Sequence, residues 1–169
     1  MEQEDLLLTL AQIAVTLTAL SGVAGILRPR SGEARMTPIE ILLLRNVALI
    51  GLVVAAFALL PLTFRGSAFS HLAIWRACSA LAVACWIAAY GIFLRQALAP
   101  LRSGGFSVQV FSLGLAFNVI GIALLAWNLV SPDSASAQRY ALGLLCALAL
   151  AGINFIVTAL RPGPPADGS

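Results

Sequence analysis

The chain has 169 residues, of which 60% are hydrophobic and only 10% charged, and a mean hydropathy of +0.97. Soluble domains carry roughly 25% charged and 45–50% apolar residues, so a water-soluble fold is excluded: it could not hide this much apolar surface. The net charge of +3 and the pI near 9.1 rest on Arg alone, and the Arg residues sit at the ends of apolar segments, a membrane-topology pattern rather than a nucleic-acid surface.

The start, Met1 to Asp5, is acidic and lacks the basic segment of a secretory signal. The first predicted helix covers 6–27 and is long enough to span a bilayer. Leu6, Leu10, Ile13, Leu17, Leu20 and Leu27 form an apolar stripe suited to lipid. Ala11, Ala14, Thr18, Ser21 and Gly25 form a small seam, and Gln12, Thr16 and Ala19 a third face, so this helix is expected to pack on two sides. Thr37-Pro38-Ile39-Glu40 reads as a capping box opening a helix over 39–62. Arg45 lies inside that helix. Arg45 and Arg65 bracket about 28 Å of helix, close to one hydrocarbon thickness, so Arg45 is expected at an interface.

The third predicted helix, 72–98, carries Trp75-Arg76 at its start, read as an interface pair, and a small face of Cys78, Ala82, Cys85 and Ala89. Pro100 and Ser103-Gly104-Gly105 are expected to end it. The fourth helix, 107–130, belongs to the stretch Phe106 to Val130, around which the other helices are expected to pack. Ser107, Phe111, Gly114, Asn118, Gly121, Leu125 and Asn128 fall on one small, polar face of it. Ser131-Pro132-Asp133-Ser134 is a turn, and a fifth helix follows over 140–160 with Ala147, Ala151, Asn154 and Thr158 on one face. The tail 161–169, rich in Pro and Gly, is expected to be disordered. The expected fold is therefore an all-α integral membrane protein: one bundle of five transmembrane helices over 1–160, with no barrel-like alternation.

Arg65, Arg76 and Arg139 fall on one side of this bundle. Arg28, Arg30, Arg35, Arg45, Arg95, Arg102 and Arg161 fall on the other, which the positive-inside rule makes cytoplasmic. The N-terminus is then outside and the C-terminus inside, in the inner membrane of a bacterium with a GC-rich genome, to judge from the Ala, Leu, Val, Gly and Arg bias.

The run Ala19 to Gly25 ending in Arg28, the segment Ala58-Leu59-Leu60-Pro61, Trp75-Arg76, and Tyr140 with Leu142-Gly143-Leu144-Leu145 resemble a family of small multi-pass bacterial membrane proteins with no assigned function. The resemblance covers most of the chain. It implies the same helix count and no activity, substrate or partner.

Chemistry is sparse. Every carboxylate lies in a tail, a loop or a helix end, so the mid-membrane ionisable group of a proton-coupled carrier is missing. His71 is the only histidine and is expected in an outer loop. Cys78, Cys85 and Cys146 are expected to be plain buried small residues. No HExxH, GxSxG or P-loop is present. Ser21-Gly22 and Gly104-Gly105 are read as packing and turn residues, and Arg28 to Arg35 as a topology signal that can also meet anionic lipid. No catalytic, cofactor-binding or metal-binding residue is therefore expected, and no enzyme.

The polar residues left in the membrane are Gln12, Thr16, Thr18, Ser21, Asn118 and Asn154. Interhelical hydrogen bonds are expected of them, with Asn118 bonded to Thr16 or Thr18. The expected function is a structural, accessory or interaction subunit, forming a homo-oligomer or binding another membrane protein. The alternative is a small transporter or oligomeric pore with Asn118 and Asn154 facing the path.

Overall fold

A computed structural model describes residues 2–27, 38–64, 66, 68–102 and 108–159. The Arg28–Arg35 stretch, the Thr37 cap, the Ser103-Gly104-Gly105 turn, Ser107 and the tail 161–169 lie outside the described residues.

Five helices follow in order: α1 (Glu2–Leu27), α2 (Pro38–Thr63), α3 (His71–Arg102), α4 (Val108–Val130) and α5 (Ser136–Ala159). Each is long and apolar enough to cross a membrane, and the described residues contain no strand. Helix α1 begins four residues before its apolar run, because acidic side chains suit the first turn of a helix. Helix α3 starts at His71, which is therefore not a loop residue, and runs through Pro100 to Arg102. So close to the helix end, that proline removes one backbone bond without breaking the helix.

Helix α5 begins a turn earlier than the apolar pattern predicts, because Asp133 and Ser136 build its start. The Asp133 N–H donates to Ser136 Oγ (2.9 Å), the Ser136 N–H donates to the Asp133 carbonyl (3.1 Å), and the Ala135 N–H donates to Asp133 Oδ1 (2.8 Å). Arg139 closes the turn with an ion pair to Asp133.

Among the described residues, the centre of the bundle is α5 and not α4. Helix α5 touches all four others, whereas α4 meets only α3 and α5, and α1 meets only α2 and α5. The reason lies in the small residues. Ala137, Ala141, Gly143, Ala147 and Ala151 are buried on several sides of α5, so neighbouring backbones approach it all round. The small residues of α4 form a single seam, in which Gly114, Asn118, Gly121, Leu125 and Asn128 are all buried as predicted. The α5 face of Ala147, Ala151, Asn154 and Thr158 is likewise buried.

Two contacts fix the helix positions. A Cβ at Gly51 would overlap Thr18 Oγ1 and lie 2.8 Å from the Ala14 carbonyl oxygen, so α2 meets the small seam of α1 backbone to backbone. Tyr140, fully buried, donates its hydroxyl to the Phe57 carbonyl at 2.7 Å. That carbonyl is available because the residue four positions on is Pro61, which lies inside α2 and has no N–H. The Tyr140 ring also packs at 5.5 Å on Trp75, which is 5% exposed. Trp75 is thus a core residue and not the interface aromatic expected beside Arg76. Its indole N–H points at the His71 ring, 3.1 and 3.2 Å from the two nitrogens.

Helix α1 also differs from expectation. Leu10 is buried and Leu17 half-buried, so only part of the predicted lipid stripe faces outward. Gln12, Thr16 and Ala19, expected to pack, are all exposed.

Candidate functional site

The bundle is tight at the end holding Tyr140 and Trp75 and leaves a cavity between there and the level of Arg45. Helix α3 accounts for this. Trp75, Cys78, Ser79 and Ala82 are buried in its first half, while Cys85, Ala88, Ala89 and Ile92 further along are exposed. The small face predicted for α3 therefore divides: Cys78 and Ala82 pack, and Cys85 and Ala89 border a gap. Of the three cysteines only Cys78 is fully buried; Cys85 is exposed and Cys146 half-buried.

The gap is a cavity of about 350 Å³ between α2, α3, α4 and α5. That volume falls in the range of small-molecule sites, ≈ 300–1,000 Å³. Its walls are mostly aliphatic and aromatic, including Leu49, Val53, Phe57, Ile92, Phe93 and Leu144. Among the described residues lining it, one is charged, Arg45, and none is a carboxylate or an imidazole. The lining offers binding contacts and lacks the paired acid and base of a proton-transfer site.

Two polar groups sit at different depths. Midway along, the Trp86 indole N–H donates to Asn118 Oδ1 (2.6 Å), and Asn118 Nδ2 donates to the Gly114 carbonyl (2.8 Å). Asn118 does not bond Thr16 or Thr18, because α1 and α4 are not neighbours. Trp86 fits against α4 because position 121 is glycine: a Cβ there would lie 2.6 Å from the indole.

The second group lies at the Arg45 end of the cavity. Arg45 donates to Gln96 Oε1, bridging α2 and α3, with half-buried Asn46 alongside. The register of α2 against α5 brings Asn154 to the same level. Tyr140 meets Phe57, and fourteen residues along each antiparallel helix (140 to 154, 57 back to 43) place Asn154 within a turn of Arg45. Asn154 is 5% exposed, lines the cavity, and its side-chain amide has no hydrogen-bond partner among the described residues.

The structure thus brings Asn118 and Asn154 to one cavity and leaves out Gln12, Thr16, Thr18 and Ser21. The three hydroxyls bond chiefly within α1: Thr16 donates to the Gln12 carbonyl, Thr18 to that of Ala14, and Ser21 to that of Thr18. Trp86 and Gln96 were not singled out by the sequence reading. The available signal is that they are, with Ser79, Tyr90 and Arg95, the hydrogen-bonding side chains other than thiols between Arg76 and the end of the predicted third helix.

A separate polar cluster lies at the closed end. Asn128, fully buried, donates to Ser79 Oγ (3.1 Å) and to the Ser136 carbonyl (2.9 Å), joining α3, α4 and α5.

Compared with protein-family models, curated proteins and solved structures, the chain matches none. The resemblance to small multi-pass bacterial membrane proteins therefore rests on its motifs alone.

Proposed function

We propose that the chain is a five-pass protein of the bacterial inner membrane, N-terminus outside and C-terminus cytoplasmic, acting as a non-enzymatic interaction subunit. The uneven distribution of Arg supports the orientation. The observation that carries the function is the exposed face of α1. Thr9, Gln12 and Thr16 share that face within the apolar span Gln3–Ile26. Both hydroxyls bond carbonyls of α1 itself, but the Gln12 amide has no partner among the described residues. In hydrocarbon an unpaired amide is costly, and a second helix relieves it.

A carboxamide both donates and accepts, so two copies of α1 related by a two-fold axis satisfy each other. The partner is therefore a second copy of this chain. Crosslinking or native mass spectrometry across a dilution series should give a dimer, with Gln12→Leu, which removes both bonds of the reciprocal amide pair, weakening it roughly sevenfold or more, from about 0.6 kcal/mol per interhelical hydrogen bond. A monomer at every concentration contradicts the proposal.

A second reading, a small transporter or oligomeric pore, is supported by the convergence of Asn118 and Asn154 on one cavity. In the same preparation, Asn118→Leu would then abolish flux across liposomes while leaving assembly intact.

A further inference from the structure

The cavity has the outline of an amphiphile. Its apolar part runs from the level of Arg45 to that of Phe57, twelve residues of α2 or about 18 Å. Half of a ~30 Å hydrocarbon core is about 15 Å, so the cavity matches the depth of one leaflet. It opens sideways: Leu49, Cys85, Ala89 and Ile92 both line it and are exposed on the outside of the bundle. A chain entering between α2 and α3 need not leave the membrane.

The polar end sets the headgroup chemistry. Arg45 donates to the neutral Gln96 and, among the described residues, meets no carboxylate. At the same level the unpaired Asn154 amide faces the cavity. A guanidinium next to a narrow apolar slot selects an anion joined to a hydrocarbon tail.

We propose that this cavity binds an anionic phospholipid of the leaflet that meets the Arg45 end. One acyl chain lies between α2, α3 and α4, the phosphate is on Arg45, and the Asn154 amide donates to an ester carbonyl just inside it. The charge of Arg45 and the depth of the slot favour this lipid over a zwitterionic one. The proposal depends on the chain lying in a membrane but not on assembly through α1, so Gln12→Leu leaves lipid binding unchanged.

The test uses the full-length protein in mild detergent, with binding of phosphatidylglycerol, phosphatidylcholine and free palmitate measured by native mass spectrometry. Phosphatidylglycerol should bind tightest. Arg45→Gln, at an exposed position, should remove that preference, weakening phosphatidylglycerol roughly fivefold, the effect of about one basic residue at a membrane surface, and leaving phosphatidylcholine unchanged. Ala89→Trp, which fills the slot from an exposed position on α3, should abolish retention of both lipids while the helical circular dichroism stays the same. Equal binding of the two phospholipids by the native chain, unchanged binding in both variants, or tighter binding of palmitate than of phosphatidylglycerol would each overturn the proposal.

Discussion

Gly51→Val is expected to destabilise the bundle by about 3 kcal/mol, the upper part of the range for overpacking a close-packed contact. The added Cβ would overlap Thr18 Oγ1 and lie 2.8 Å from the Ala14 carbonyl oxygen. Thr18 can rotate away only by giving up its bond to the Ala14 carbonyl at 2.9 Å, and the carbonyl itself belongs to the α1 backbone. Helix α1 must therefore move off α2, its largest neighbour. Gly22→Val provides the control, since a Cβ at Gly22 has no atom within 4 Å. Thermal unfolding in detergent should show a large loss for the first variant and almost none for the second. Equal shifts would mean that α1 and α2 do not meet at Gly51.

Tyr140→Phe is expected to cost about 1–3 kcal/mol, the penalty of leaving a buried carbonyl without a donor. The ring stays and only the hydroxyl goes, so packing against Trp75 is preserved. The carbonyl at stake is that of Phe57, which lacks its helical donor because of Pro61. Adding Pro61→Ala to Tyr140→Phe gives the carbonyl a backbone N–H and should recover about 1 kcal/mol of the loss, a coupling that a double-mutant cycle measures directly. If Tyr140→Phe costs the same with and without Pro61, the hydroxyl does not stand in for the missing backbone donor.

The helices were legible in the sequence because Arg residues bracket uninterrupted apolar runs. The seams of α4 and α5 were legible because residues three and four apart must share a helix face. The hub was not. All five segments carry small residues, and which helix becomes central depends on how many of its sides are small, a property that emerges only once pairs are packed. Trp75 was misplaced for a local reason: adjacent helix positions point about 100° apart, so exposed Arg76 says nothing about where Trp75 points. Cys78 and Cys85 share a face, yet Cys78 is buried in the core and Cys85 is exposed at the border of the cavity. The cavity was therefore invisible to periodicity, although two of its polar residues, Asn118 and Asn154, stood out as amides in apolar runs. Gln96 was hidden by its position past Arg95, where the predicted hydrocarbon span ends.

The central claim is a five-pass chain with its Arg-rich end in the cytoplasm, where the cavity mouth and Arg45 would face the inner leaflet. It is tested most directly by single cysteines introduced into a cysteine-free chain in intact cells. Asp133→Cys, in the turn before α5, should react with a membrane-impermeant maleimide from outside. Gly32→Cys, in the Arg-rich stretch between α1 and α2, should react only after permeabilisation. The reverse pattern, or labelling of both positions from the same side, would contradict the account.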